Sequence, residues 1–153
     1  MYAYIALIPS IYLLAAIPYA GLGLYAWSRR PAVAVTPFAW MMLGMAIWSF
    51  VYSIEIVFSD VHTKLRLASI EYFGIVSIPV FFLMFALEFI GRGYLLTRRN
   101  RILLWCIPLL ILFLVSTNDF HRLMWDSEAV EKSFGLLLLR VRPQFFYWVD
   151  ISY

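Results

Sequence analysis

Charged residues are scarce in this sequence of 153 residues, and their scarcity excludes a soluble protein. They form 14% of the chain, whereas hydrophobic residues form 64%. Soluble domains are usually about a quarter charged, and a soluble domain of this size has too little interior to bury so much apolar surface. A lipid bilayer removes that difficulty, so the composition predicts a membrane protein.

Cysteine, lysine and histidine are also rare, which excludes several kinds of site. Cys106 is the single cysteine, so no intrachain disulfide is possible, and we expect it to be a small buried hydrophobe. Lys64 and Lys132 are the only lysines, and we place both in loops, where neither forms a Schiff base within a span. His62 and His121 also fall in loops, which argues against an intramembrane haem. We therefore expect no cofactor and no metal.

Motifs of catalysis are missing too. The chain has no glycine-rich phosphate loop, no nucleophilic serine motif and no metalloprotease helix. We therefore expect that the chain itself is not an enzyme. Its net charge of +3 does not indicate nucleic-acid binding, because the basic residues stand beside apolar runs and not on an exposed basic face.

Long apolar runs dominate what remains. A transmembrane helix needs about 20 apolar residues to cross a bilayer core, and four runs are interpreted as such helices. A fifth run begins near Phe145 and is still too short to cross at the last residue. The predicted fold class is an all-α integral membrane protein, a single domain over residues 1–153 with four transmembrane helices plus the start of a fifth. The helices are placed at about 4–27, 37–58, 67–90, 102–116 and 145–153.

The segment at 117–144 is the only sizeable loop between the predicted helices. Two short apolar stretches in it flank a polar segment that ends in Ser133-Phe134-Gly135. This pattern is typical of a small β-hairpin. A short re-entrant or interfacial helix is the alternative.

The arginines predict the orientation of the chain. The loops after the first and third runs are purely basic, whereas the loop at 59–66 and the segment at 117–144 carry both signs of charge. Cytoplasmic loops collect Lys and Arg, so we expect the N-terminus and the 117–144 segment outside. The basic loops contain Arg29, Arg30, Arg92, Arg98, Arg99 and Arg101.

Carboxylates within apolar runs are candidate functional groups, because ionisable side chains in a membrane are energetically costly. The predicted topology brings Glu55, Glu71 and Asp150 to the outer half of the bilayer from three different helices. Glu88 lies at the opposite end, where we expect it to pair with Arg92 one turn away.

Aromatic residues accompany these acids. Trp48 and Tyr52 share a helical stripe with Glu55. An aromatic and acidic cavity open to the outside would suit a small cationic or hydrogen-bonding ligand. The alternative is that the acids are protonated, or paired with Arg66, Arg140 or Arg142, and simply tie helices together.

Several strings occur in order along nearly the whole chain. They are Ala46-Ile47-Trp48-Ser49, Glu71-Tyr72-Phe73-Gly74-Ile75, Phe85-Ala86-Leu87-Glu88-Phe89, Thr117-Asn118 with His121 and Trp125, and Phe146-Tyr147-Trp148-Val149. With them, the chain resembles the N-terminal seven-helix sensor region of bacterial and archaeal histidine kinases. The resemblance implies a sensory input module and carries over Glu55, Glu88, Asn118, His121 and Trp125. The chain stops within the fifth of the seven helices and contains no phosphoacceptor or ATP-binding region, so no kinase activity is implied for it.

The leading hypothesis is a membrane-embedded sensory input module of a histidine kinase-like protein, sensing an unknown signal from the outer side of a prokaryotic plasma membrane. The alternative is a small accessory subunit of a respiratory or photosynthetic complex. A transporter is disfavoured because the acids cluster on one side. The expected partners are the lipid bilayer and either further copies of the chain or other membrane subunits. The predicted ligand-binding residues are Trp48, Tyr52, Glu55, Glu71, Tyr72, His121, Trp125, Trp148 and Asp150.

Overall fold

Four long helices form the body of the protein. The computed structural model describes residues 2–30, 32–133 and 136–152. The helices are α1 (Tyr2–Ser28), α2 (Val35–Glu55), α3 (Val61–Phe89) and α4 (Arg98–Ser116). In length and composition all four are able to cross a membrane. The predicted all-α membrane fold with four spans is confirmed, and α6 (Phe145–Ser152) follows as a further short helix.

A small β-hairpin stands between the fourth and last helices, as the sequence predicted. A single-turn helix, α5 (Asn118–His121), follows α4 and leads into the hairpin. Strands β1 (Trp125–Ser133) and β2 (Leu136–Pro143) pair antiparallel, with an irregularity in register near the start of β1. The turn residues 134 and 135 lie outside the described part of the chain. The alternative of a re-entrant helix is therefore wrong for the described residues of this segment.

Two helices begin earlier than the apolar runs suggested. Helix α3 begins at Val61 and not near residue 67, because the Asp60 carboxylate accepts hydrogen bonds from the Thr63 amide (2.8 Å) and hydroxyl (2.7 Å) and so caps the helix. Helix α4 begins at Arg98 and not near residue 102, because the Thr97 hydroxyl caps it through the amide of Asn100. Hydropathy marks only the stretch that lies in lipid, so these polar first turns were mistaken for loops.

The cap at Asp60 depends on its charge. The Thr63 side-chain hydrogen bond, and then the Thr63 amide, lower the pKa of Asp60 below its ordinary value. A carboxyl group with a lowered pKa stabilises the fold above its unfolded-state pKa, and this contribution is lost as the pH falls through the folded-state value. The beginning of α3 is therefore held most firmly when Asp60 is ionised.

The first three helices pack side by side, and glycines allow the close approach of α2 and α3. A Cβ atom built on Gly74 would lie 2.7 Å from the backbone oxygen of Gly44 and 3.1 Å from Cβ of Trp48. Small residues at helix crossings let backbones come together in membranes, where packing replaces the hydrophobic effect. The pair Gly44 and Gly74 therefore sets the spacing of α2 and α3.

Substitution of Gly74 by alanine is expected to destabilise the fold by about 1–3 kcal/mol, since the new methyl group meets backbone that cannot rotate away. Gly21→Ala is the matched control, because a Cβ there meets nothing within 4 Å and alanine is the better helix former by about 1 kcal/mol. Unfolding in mixed detergent micelles, followed by circular dichroism, measures both. Equal stability of the two variants would contradict the close crossing.

Two ends of the molecule differ in charge and in structure. One, which we call the arginine end, carries the connections after α1 and α3 with Arg29, Arg30 and Arg92. The other, the hairpin end, carries the turn between α2 and α3 and the β-hairpin. At the hairpin end Met124 and Trp125 are buried against Val76 of α3 and Leu114 of α4. The hairpin is thus anchored on the helices.

The predicted ion pair at the arginine end does not form. Among the described residues no salt bridge joins Glu88 to Arg92; the Glu88 carboxylate instead accepts a hydrogen bond of 3.0 Å from the backbone amide of Ala34. Ala34 has a positive φ of 63°, and the hydrogen bond to Glu88 satisfies its backbone amide. Sequence spacing indicates neighbours within one helix, whereas the partner of Glu88 lies in the connection between α1 and α2.

Large apolar side chains cover the outside of the helices. Leu14 is 65% exposed, Ile17 64% and Phe113 63%. Cys106, expected to be buried, is also exposed on α4. This surface is apolar because its solvent is the hydrocarbon of a bilayer, and a helix face turned to lipid looks in sequence like a face turned to a core.

Candidate functional site

A buried ion pair joins α2 to α3 at the hairpin end. The Lys64 ammonium lies 2.6 Å from Oε1 of Glu55 and also donates to the backbone oxygen of Glu55 at 2.7 Å. The side chains are 0% and 5% exposed. Two of the three lysine donors are therefore satisfied by one residue, and the pair ties the end of α2 to the beginning of α3.

The local sequence explains why these two side chains meet. Glu55 is the last residue of α2, and the Asp60 cap turns the chain straight back into α3. Lys64 then falls in the first turn of α3, facing the end of the helix before it. The prediction that Lys64 lies in a loop is wrong, because it lies in α3, whereas Lys132 lies in β1 of the hairpin, within the segment predicted as a loop. The cap motif Asp60 to Thr63 was the signal in the sequence that would have placed Lys64 in a helix.

Glu71 lies near this pair on the same helix. It is seven positions after Lys64, two helical turns along one face of α3. The residue is 6% exposed, and its Oε1 atom is buried without any hydrogen-bond partner among the described residues. Since Lys64 is already held by Glu55, Glu71 is a buried acceptor that lacks a donor.

A cavity of about 320 Å³ lies beside these carboxylates, and we call it the Glu71 cavity. Helices α2 and α3 form one wall, and β2 with Tyr147 at the start of α6 forms the other. The cavity is mostly apolar and aromatic, with the two carboxylates as its charged groups. Its lining residues are Tyr52, Glu55, Ala68, Glu71, Tyr72, Trp125, Leu138, Leu139, Val141 and Tyr147.

Five of the predicted ligand-binding residues line this cavity. Tyr52 and Glu55 come from α2, Glu71 and Tyr72 from α3, and Trp125 from the start of β1. The Tyr72 and Trp125 rings lie 6.1 Å apart between centroids. The lining residues on β2 were missed, because the apolar pattern of a strand does not reveal which helix it packs against.

Four predicted residues do not line the cavity. Trp48 is 40% exposed and packs over the helix crossing at Gly74. Trp148 is 57% exposed and lines a separate cavity with Ile107 of α4. Asp150 is half-buried on α6 and does not line the cavity. His121 also stands apart.

His121 holds the turn that precedes the hairpin. Its Nε2 lies 2.9 Å from the Thr117 hydroxyl, and its Nδ1 accepts a hydrogen bond of 3.0 Å from the amide of Leu123. An Nδ1 that accepts leaves the proton on Nε2, which then donates to Thr117. The ring is therefore occupied on both sides by the local chain and not by a ligand site.

Asn118 is the central polar residue of the same turn. Its Oδ1 accepts from the amides of Met124 (3.0 Å) and Trp125 (3.3 Å), and its Nδ2 donates to the backbone oxygen of Trp125 at 2.9 Å. The side chain is buried, with 3% exposure. One side chain thus replaces three backbone partners and presents Trp125 to the cavity.

A larger cavity of about 750 Å³ lies at the arginine end. Trp40, Phe81, Glu88 and Arg101 are among its lining residues. Here the two charged groups have partners, since Glu88 accepts from Ala34 and Arg101 donates to the backbone oxygen of Leu96. Size alone favours this cavity, but the unsatisfied buried acceptor lies in the Glu71 cavity, which is the better candidate for recognition.

The Glu71 cavity has the chemistry of a binding site. Ligand pockets are mainly apolar, with a few polar groups that fix the orientation of the ligand. A ligand that donates a hydrogen bond to a buried, unsatisfied acceptor gains binding free energy. In the described parts of the chain no cluster of three His, Cys, Asp or Glu residues is arranged to hold a metal ion.

Comparison with known proteins agrees with this architecture. The chain matches the family described as the N-terminal 7TM region of histidine kinase over residues 2–153. No curated protein and no solved structure matches it. That family is a sensory input region and not a catalytic domain, which favours the sensory hypothesis over the accessory subunit. Four membrane-spanning helices, a match over almost every residue and the strings along them identify this chain as a member of the family of N-terminal seven-transmembrane regions of histidine kinases.

Proposed function

We propose that the chain receives a signal on the outer side of a prokaryotic plasma membrane, through the Glu71 cavity, and passes it to a histidine kinase output. The observation that carries the proposal is the buried Glu71 side chain, which lies in a cavity lined by aromatic rings. Within the described part of the chain its Oε1 atom has no hydrogen-bond donor. A purely structural acid would be paired, as Glu55 is by Lys64.

The charge distribution supports the orientation. Arg29, Arg30, Arg92 and the first turn of α4 place six arginines at one end of the helices. Positive residues favour the cytoplasmic face. The hairpin end, with the cavity and the N-terminus of α1, then faces outside.

The helices offer a route from the cavity to the other face. Helix α3 lines the cavity at Glu71 and runs without interruption to Phe89, where Glu88 holds the connection between α1 and α2 through Ala34. A ligand that separates β2 from α3 favours one position of this helix. It shifts the equilibrium only by as much as its affinity differs between the two states.

A labelling experiment tests orientation and signalling together. It uses a full-length histidine kinase that carries this region, with Cys106→Ala as the background and single cysteines at Val141, Asp119 or Tyr94. A bulky, membrane-impermeant maleimide is added to intact cells, and histidine phosphorylation is then measured in their membranes. We expect labelling at Val141→Cys, beside the cavity, to change phosphorylation by on the order of fivefold or more, the usual range of coupling between sites.

The other two positions are the controls. Asp119 is exposed on α5 and does not line the Glu71 cavity, and its cysteine variant is expected to react without changing phosphorylation. Tyr94 is 75% exposed at the arginine end, and its cysteine is expected to stay unlabelled until the cells are permeabilised. Reaction of Tyr94→Cys in intact cells would overturn the orientation. Unchanged phosphorylation after labelling of Val141→Cys would overturn the role of the cavity.

A further inference from the structure

We infer that the ligand of the Glu71 cavity is a small organic cation, such as a primary ammonium compound with an apolar body. This inference rests on the proposed function and adds the chemical class of the signal. Three observations carry it: the charge around the cavity, the composition of its wall and its size.

The charges around the cavity are unbalanced. Glu55 and Glu71 line it. The neighbouring cation, Lys64, already donates hydrogen bonds to the carboxylate and to the backbone oxygen of Glu55. Among the described residues no salt bridge includes Glu71, and its Oε1 atom has no hydrogen-bond partner. A carboxyl group buried without a partner takes up a proton, whereas a cation that pairs with it keeps it ionised. An ammonium group supplies both the charge and the donors, whereas an anionic ligand would bring a second negative charge to Glu71 and no donor.

The wall of the cavity suits the rest of such a molecule. Tyr52, Tyr72 and Trp125 present aromatic rings around the carboxylates. Rings attract cations through their negative faces, and tryptophan does so most strongly. The leucine and valine side chains of β2 complete an apolar surface opposite the rings. An ammonium group attached to an apolar body matches both halves.

The size limits the ligand to a small molecule. The volume of about 320 Å³ stands at the lower end of ligand pockets, which hold about 300–1,000 Å³. One aromatic ring with an aminomethyl group fits within it, and a peptide does not.

Binding to the purified chain tests this class directly. The chain is placed in nanodiscs of phosphatidylcholine, a lipid without net charge, and titrated calorimetrically with benzylammonium, benzyl alcohol or benzoate at neutral pH. We expect benzylammonium to bind at least about tenfold more tightly than benzyl alcohol, because the charge pair adds to the aromatic contact. Benzoate is expected to give no binding heat.

Variants locate the binding. Glu71→Gln keeps the shape and removes the charge, and it is expected to weaken benzylammonium by at least about tenfold. Glu131→Gln is the control, because Glu131 is also a carboxylate but is 54% exposed on the hairpin, where it pairs with Arg140. This variant should bind benzylammonium as tightly as the wild type. Tyr72→Leu should weaken binding while Tyr72→Phe preserves it. Equal affinity for the alcohol and the ammonium, or unaltered affinity in Glu71→Gln, would overturn the inference.

The outcome separates this inference from the proposed function. The titration needs no kinase output, whereas the maleimide experiment needs no ligand. Absence of benzylammonium binding, together with a response to labelling at Val141→Cys, would overturn the ligand class and leave the sensory role. Specific binding without any response to labelling would do the reverse.

Discussion

Replacement of Glu55 by alanine is expected to destabilise the protein by about 3–5 kcal/mol. The substitution leaves the Lys64 ammonium, which is completely buried, with the backbone oxygen of residue 55 as its remaining partner. A buried charge that loses its counter-ion cannot regain water without opening the contact between α2 and α3. Unfolding of the detergent-solubilised chain by increasing dodecyl sulfate, followed by circular dichroism, measures the loss.

Two controls separate burial from the ion pair itself. Removing both charges with the double variant Glu55→Leu, Lys64→Met is expected to recover most of the stability, because apolar residues of similar volume replace a buried pair at little cost. Glu131→Ala breaks a pair with Arg140 of nearly the same length, 2.7 Å, but with side chains 54% and 72% exposed. It should change stability by no more than about 1 kcal/mol. A double variant as unstable as Glu55→Ala would contradict this account.

The second large effect is expected at Asn118. Asn118→Leu removes three hydrogen bonds from the backbone of Met124 and Trp125 and leaves those groups buried. Each such group costs about 1–3 kcal/mol when unsatisfied, and partial rearrangement of the turn leads us to expect a total loss of about 3 kcal/mol. Hydrogen exchange is expected to rise first in β1, because Asn118 fixes the entry to the hairpin.

Asn118→Asp gives a graded test. The aspartate retains the two acceptor bonds but loses the donor to Trp125, so its stability should fall between those of the wild type and Asn118→Leu. Asn100→Ala is the matched control, since the exposed side-chain amide of Asn100 donates only to the backbone oxygen of Leu95. This substitution should change stability by less than about 1 kcal/mol. A loss at Asn100 equal to that at Asn118 would contradict the central role of Asn118.

Glu55 and Asn118 contribute to the Glu71 cavity in different ways. Glu55 lines the Glu71 cavity directly, whereas Asn118 acts by positioning Trp125, which also belongs to the wall. Asn118 is thus a positioning residue; the family resemblance singled it out, but its role in the turn comes from the structure.

Much of the architecture follows from the chain taken alone. The scarcity of charge and the four apolar runs require lipid as the solvent, because no other environment covers so much exposed hydrocarbon. The glycine-containing segment between two apolar stretches led correctly to a hairpin. The period of α2 placed Tyr52 and Glu55 on one face, and the alternation of spans brought Glu71 to the same end.

Only the tertiary structure decided which polar groups have partners. Lys64 was assigned to a loop and is instead the buried counter-ion of Glu55, while Glu88 bonds to Ala34 and not to Arg92. Hydropathy indicates which part of a helix lies in lipid, but capping residues extend the helix beyond that part. The rotation of one helix against the next then determines which side chains become partners. The sequence thus determined the solvent, the number of spans and the grouping of the acids, whereas packing between distant elements left the Oε1 atom of Glu71 without a donor among the residues that the structure describes.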